Sequence, residues 1–94
     1  MIELFDDFVI KVDDTQYILA KRYISKKKDG TESEAFKNIG YYSTLNHTIQ
    51  GFTKRLVMDN LRNQDRTLTE AVETIREIAD RVEKFVTENI PQEV

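Results

Sequence analysis

The sequence predicts an α+β fold, a three-stranded antiparallel meander followed by two helices packed on one face. Two observations predict this class. Residues 8–42 alternate between apolar and polar side chains, as strands do, whereas after Tyr42 apolar residues recur every three or four positions, as they do in helices. The chain has 94 residues, the size of one domain. We therefore assign residues 1–94 to a single domain, with a sheet over 8–42 and helices over 43–63 and 67–90.

The three predicted strands are short segments rich in β-branched and aromatic residues. They cover Phe8–Val12, 16–24 and 36–42. Asp13-Asp14 favours a turn after the first strand, and the Asp-Gly step within 26–31 favours a hairpin loop. Connections this short join antiparallel neighbours, because parallel strands need a longer crossover.

The two predicted helices each begin at a capping signal. The pair Ser43-Thr44 offers a hydroxyl that can accept a free backbone N–H at the start of the first helix. Its apolar stripe is Leu45, Ile49, Phe52, Leu56 and Leu61. Gly51 lies within that helix, where glycine costs about 1 kcal/mol relative to alanine, so we expect a close approach to the sheet or to the second helix. Thr67 and Glu70 match a capping box for the second helix.

The second helix is long for so small a sheet. At 1.5 Å per residue it measures about 36 Å, more than strands of five to nine residues span. Its last turns are therefore expected to overhang the sheet and to carry Val82, Phe85, Val86 and Ile90 with them. Either these residues form a seam with a second copy of the chain, or the first helix covers them.

Three segments of the chain carry a family resemblance. They are Phe8-Val9-Ile10-Lys11, Gln16-Tyr17-Ile18-Leu19 and Ile39-Gly40-Tyr41-Tyr42-Ser43-Thr44-Leu45. In order and spacing, residues 8–62 resemble a family of small uncharacterised bacteriophage and prophage proteins. In that family a YVI…D…QYIL double strand leads through a lysine- and glycine-bearing loop to a GYY strand end. The resemblance implies an accessory protein of a phage or mobile element. Small proteins of this kind often bind and inhibit host proteins, including CRISPR effectors and other defence systems.

The composition argues against an enzyme. The chain has no cysteine and a single histidine, so thiolate nucleophiles, disulfides and His-rich metal sites are excluded. His47 is expected to be a surface residue, and no phosphate-binding glycine motif is present. The acidic pairs Asp6-Asp7 and Asp13-Asp14 lack the spaced oxygen ligands of a calcium loop. We expect no metal and no cofactor.

The same sequence indicates a cytoplasmic location. No apolar run approaches the ~20 residues that span a bilayer, and the N-terminus is acidic where a signal peptide is basic. We therefore expect a protein of the host cytoplasm with no membrane partner.

Two surfaces are candidates for binding. The first is a basic hairpin with nearby tyrosines on the open sheet face, which suits single-stranded nucleic acid. Its residues are Tyr17, Tyr23, Lys26, Lys27, Lys28 and Tyr41. The second is an acidic side of the last helix, which suits a cationic groove. Its residues are Glu73, Glu77 and Asp80. Both patterns are also typical of ordinary solvated surfaces.

The predicted function is non-enzymatic binding of a host protein, with inhibition of a defence system such as CRISPR as one outcome. Two alternatives stay open. One is a small nucleic-acid-binding regulator that uses the basic hairpin, and the other is a structural homodimer.

Overall fold

The computed structural model describes residues 1–62 and 64–89. In these residues four strands and two helices follow one another, namely β1 (Ile2–Glu3), β2 (Phe8–Val12), β3 (Tyr17–Lys26), β4 (Glu32–Tyr42), α1 (Leu45–Leu61) and α2 (Leu68–Asn89). The α+β class is confirmed. The predicted ends of the helices at positions 63 and 90 lie outside the described residues. The chain divides into two compact units, Met1–Gly51 and Phe52–Val94, and the packing of both helices on one sheet face stays a prediction.

The prediction of three strands is wrong, because a fourth strand precedes them. The sheet is antiparallel in the order β1-β2-β3-β4, and Ile2 and Glu3 pair with Ile10 and Val9. β1 has only two residues, too few for an alternating pattern to show. The reversal after it places Asp6 and Asp7 at φ 56° and 67°, a left-handed conformation that aspartate tolerates better than most residues.

The hairpin between β3 and β4 has longer strands and a shorter loop than predicted. β3 runs through Lys26 and β4 begins at Glu32, not at residue 36, so only 27–31 form the loop. The Lys27 N–H donates to the Thr31 carbonyl at 2.8 Å, and Gly30 has φ 86°. The polar start of β4 carries no strand signal of its own. Its pairing with β3 fixes its conformation.

A β-bulge interrupts the pairing of β3 with β4. Leu19 is opposite Gly40 and Ala20 is opposite Asn38, which leaves Ile39 as an extra residue on β4. The core of this unit lies beside the bulge. Its completely buried or almost completely buried members are Phe8, Val9, Ile10, Leu19 and Ala20.

Helix α1 begins where the sequence predicts. The N–H of His47 donates to the Thr44 hydroxyl at 3.1 Å, which makes Thr44 the N-cap. Phe52 and Leu56 are buried, as expected for the apolar stripe. Leu45, the first residue of the helix, is exposed, which corrects its place in the predicted buried stripe.

Helix α2 begins at the predicted capping residue. The Glu70 N–H donates to the Thr67 hydroxyl at 3.2 Å, and that hydroxyl donates to the Glu70 carboxylate at 3.1 Å. Val82 is buried, and Phe85 and Val86 are half-buried. The large apolar side chains that α2 exposes are in its first half, and not in the last turns where the sequence predicts an overhang.

Candidate anion-binding face of the sheet

The pairing of the strands assigns each strand residue to one of two faces. Side chains of directly opposite residues project from the same side of a sheet. We call one side the lysine-pair face. Its residues include Phe8, Lys21, Tyr23 and Lys37. The other side is the ion-pair face, which includes Glu3, Lys11, Arg22, Glu34 and Phe36.

Charge is sorted between the two faces. The strands contain three acidic residues, and all of them are on the ion-pair face, namely Glu3, Glu32 and Glu34. Three cations share that face with them, namely Lys11, Arg22 and Lys26. The lysine-pair face has two charged strand residues, Lys21 and Lys37, and both are cations. One face is therefore neutral by formal charge, and the other is cationic.

The ion-pair face uses its cations internally. The Arg22 guanidinium bonds to Glu3 at 2.5 Å, and its Nε lies 3.2 Å from Glu34 without the alignment of a hydrogen bond. The central carbon of the guanidinium, Cζ, lies over the Phe36 ring, 5.7 Å from the centroid. The hydrogen bond to Glu3 is the main reason why the pKa of Arg22 is raised. Arg22 therefore joins β1, β3 and β4, and it is not free to bind a ligand.

The two lysines of the other face have no such partners. Lys21 is directly opposite Lys37, and neither forms an ion pair with a carboxylate among residues 1–62 and 64–89. The Lys21 ammonium lies 5.0 Å from the centroid of the Phe8 ring. Like charges that face each other across two strands destabilise a sheet. The pair therefore does not help the sheet to form, and it suits an anionic ligand.

A shallow pocket of about 250 Å³ is lined by Lys21, Arg22, Tyr23 and Lys37, almost entirely through their apolar atoms. Tyr23 is 50% exposed, so one aromatic ring is available to a ligand two residues along β3 from Lys21. Cations next to an exposed ring are the combination that holds phosphate groups and stacks planar bases.

The structure separates the predicted tyrosines. Tyr17 and Tyr23 are on the lysine-pair face, but Tyr41 is opposite Ile18 and therefore on the ion-pair face. There the Asn38 amide donates to the Tyr41 hydroxyl at 3.2 Å. The expectation that all three tyrosines share one face is wrong for Tyr41. Its partner Ile18 is one residue from Tyr17 along β3, and neighbouring residues of a strand project from opposite faces.

The predicted hairpin lysines are also divided. Lys26 belongs to β3, on the ion-pair face, and its ammonium lies 3.8 Å from Glu32. Lys27 and Lys28 are exposed in the loop beyond the strands. The structure therefore does not gather the three lysines into one site.

Sequence reasoning missed Lys37, and the reason is the bulge. Without the extra Ile39, the pairing of Tyr17 with Tyr42 would continue unchanged and would place Asn38 opposite Lys21. The bulge shifts the register by one residue and brings Lys37 there instead. A one-residue shift of this kind has no signal in the alternation of either strand.

The acidic residues of α2 form a second surface. Glu70, Glu73, Glu77 and Asp80 are exposed and follow each other at spacings of three or four, which places them on one side of the helix. We call them the acidic stripe. None of them forms an ion pair within the described part of the chain.

The described residues contain neither a candidate metal site nor a membrane-spanning helix. Among them, no group of three or more histidine, aspartate or glutamate side chains is arranged to hold a metal ion. His47 is exposed in the first turn of α1. Neither described helix combines the length and the apolar composition that crossing a bilayer requires.

Comparisons of this chain with protein-family models, with curated proteins and with solved structures find no match. The resemblance of residues 8–62 to phage and prophage proteins therefore stays a prediction.

Proposed function

We propose that this protein is a non-enzymatic binding module that holds single-stranded nucleic acid on its lysine-pair face. One observation carries the proposal. Lys21 and Lys37 are opposite each other on a face whose strand residues include no carboxylate, whereas every acid of the strands is on the other face. The cationic face exists although the chain as a whole has a net charge of −3.

The chemistry of the face suits a single strand better than a duplex. Two ammonium groups at one level of the sheet can hold a phosphate between them, and Tyr23, two residues along β3 from Lys21, offers a ring to an unpaired base. Bases in a duplex are already stacked on one another and are not free to stack on a ring of the sheet face. The exposed Lys27 and Lys28 continue the positive charge about 20 Å further along the same hairpin.

The test is fluorescence anisotropy with a labelled oligothymidine of about 12 nucleotides, which spans one site of this size. Lys21→Glu and Lys37→Glu should each weaken binding by roughly tenfold, because each replaces a phosphate contact with a repulsion. Lys26→Glu is the matched control, since it makes the same charge change on the ion-pair face. Equal losses in all three variants would show that only overall charge matters and would overturn the site.

A second pair of variants tests stacking. Tyr23 and Tyr41 have similar exposed fractions, 50% and 58%, but they are on opposite faces. Tyr23→Ala should weaken binding by about 1 to 3 kcal/mol, the usual contribution of a stacked base, and Tyr41→Ala should leave it unchanged. An effect of Tyr41→Ala as large as that of Tyr23→Ala would contradict the proposed face.

A second candidate function rests on the acidic stripe. Four exposed carboxylates on one side of α2, none of them in an ion pair within the described residues, suit a cationic surface of another protein, in keeping with a phage accessory protein that blocks a host protein. The test is capture from nuclease-treated host lysate. Glu77→Lys should abolish capture of a specific protein, and Lys21→Glu should leave it intact. Capture that is lost with nuclease treatment, or with Lys21→Glu alone, would favour nucleic acid instead.

A further inference from the structure

Helix α2 exposes apolar side chains along the first half of its length. Leu68 is 81% exposed, Val72 38% and Ile75 41%, and Ala79 is also exposed. These four residues follow each other at spacings of four, three and four, the pattern of the apolar seam in a coiled coil. We call them the α2 seam. It is distinct from the acidic stripe, which occupies another side of the same helix.

The neighbouring side of α2 has a different environment. Ala71, Thr74 and Ile78 are half-buried there, and Val82 is buried. The protein therefore covers one apolar side of the helix and leaves the α2 seam open. Single exposed apolar residues need no explanation, but a seam with coiled-coil spacing matches the surface that a second helix buries.

We propose that the α2 seam pairs with the same seam of a second copy of this chain, with the two helices antiparallel. The two-fold axis passes between Glu73 and Thr74. In that arrangement Val72 packs against the partner's Ile75, and Leu68 packs against the partner's Ala79. Leucine then meets alanine and valine meets isoleucine, which fills the interface evenly. A parallel pair would set leucine against leucine and leave a gap between two alanines.

Charge on the rim favours the same arrangement. Arg76 flanks the seam on the side that also carries Glu73, and neither forms an ion pair within the described residues. Antiparallel pairing brings Arg76 of each copy next to Glu73 of the other, twice across the axis. Parallel pairing would place Arg76 beside the partner's Ala71, which offers it no charge.

The seam is short, so the dimer is weak. Four residues over three turns extend about 17 Å along the helix. The interface is therefore smaller than the ~1,600 Å² of a standard protein complex, and we expect a dissociation constant in the micromolar range or above.

Sedimentation equilibrium up to about 1 mM protein without nucleic acid tests the pairing. The natural chain should show a concentration-dependent mass between one and two copies. Ile75→Asp should remain monomeric, because a carboxylate would be buried in the seam. Thr87→Asp, on an exposed side of the same helix, should behave as the natural chain does. A natural chain that stays monomeric, or an equal effect of both substitutions, would overturn the proposal.

Exchanging the large and the small side chain at positions 68 and 79 keeps the proposal testable if Ile75→Asp disturbs folding. Leu68→Ala alone should weaken the dimer by roughly tenfold. Adding Ala79→Leu to it should restore the affinity, because the large and small positions trade places across the axis. Failure of the second substitution to restore dimerisation would contradict the antiparallel pairing.

Disulfide trapping tests the direction, and the chain has no cysteine of its own. Val72→Cys and Ile75→Cys chains are mixed and oxidised, and the products are separated by mass. Antiparallel pairing should give the mixed disulfide as the main product, since residues 72 and 75 of different copies are opposite each other. A majority of the two symmetric disulfides would indicate parallel helices and would overturn the proposed arrangement.

Discussion

The side chain of Tyr42, at the end of β4, fills the position that a Cβ atom would take on Gly51 of α1. The same ring lies against Gly40, where an added Cβ would meet the hydroxyl oxygen at 2.7 Å. Two glycines thus hold one ring between a strand and the first part of a helix. Neither glycine has a positive φ, so their backbone conformation does not require glycine. The close approach of the Tyr42 ring does, because it leaves no room for a side chain.

Gly51→Ala should therefore reverse the usual effect of this substitution in a helix. Alanine normally stabilises a helix by about 1 kcal/mol relative to glycine. Here the added methyl group would displace the Tyr42 ring, and we expect a net loss of about 1 to 2 kcal/mol. Urea unfolding measures the free energy.

The control is the same substitution in a Tyr42→Leu chain, which lacks the hydroxyl and the end of the ring. In that background Gly51→Ala should be neutral or stabilising. A stabilising effect in the natural chain would show that the ring moves away at no cost.

The turn between β2 and β3 should make stability depend on pH. The Asp13 carboxylate accepts the N–H groups of Thr15 at 2.9 Å and of Gln16 at 2.8 Å, and the bond from Thr15 is the main cause that lowers the pKa of Asp13. A pKa that is lower in the folded chain gives stability that is present above the unfolded pKa of about 3.9. That stability is lost as the pH falls through the folded value.

Thermal unfolding of Asp13→Asn checks this prediction. The variant should melt below the natural chain at pH 7, and the difference should shrink as the pH falls below about 4 toward the lowered pKa of the folded Asp13 carboxyl. Asp14→Asn removes a charge from the same turn, and its carboxylate accepts no hydrogen bond within the described residues. A difference for Asp13→Asn that persists unchanged at pH 2 would contradict the role of the charge.

The cross-strand ion pairs should differ in what they contribute. Arg22 reaches Glu3 of β1 and Glu34 of β4 with a side chain that is 25% exposed, whereas Lys26 meets Glu32 with 77% exposed. Solvent screens an exposed pair much more strongly than a covered one. Arg22→Gln should therefore lower the urea midpoint, and Lys26→Gln should leave it within error. Equal midpoints for the two variants would show that Arg22 does not hold β1 and β4 to β3.

Local signals account for what the sequence predicts correctly. Thr44 and Thr67 cap their helices because a hydroxyl reaches a backbone N–H only three residues away, a relation contained in the sequence itself. The α+β class follows from a change of period that extends over many residues. Gly51 marks a close approach, as expected, although the sequence leaves open what approaches it.

Contacts between distant segments account for the features that the sequence does not predict. β1 owes its conformation to pairing with β2, since two residues have no periodicity of their own. The candidate site depends on the bulge at Ile39, which places Lys37 opposite Lys21. It also depends on the pairing of Tyr41 with Ile18, which places the Tyr41 side chain on the other face. The exposure of the α2 seam depends on which side of an amphipathic helix other residues cover. These features exist only once the segments meet.

The salt dependence of nucleic-acid binding gives the final prediction, because it counts phosphate contacts. The logarithm of the affinity for a single strand falls with the logarithm of salt concentration by about 0.7 for each phosphate that the protein neutralises. Lys37→Gln should reduce that slope by about one such contact, and so should Lys21→Gln. Lys11→Gln on the ion-pair face, where the ammonium lies 5.7 Å from the Phe36 centroid, should leave the slope unchanged. Oligothymidine anisotropy at several salt concentrations measures the slopes. If the slope stays the same without Lys37, the lysine pair does not hold phosphate, whatever the affinity at one salt concentration.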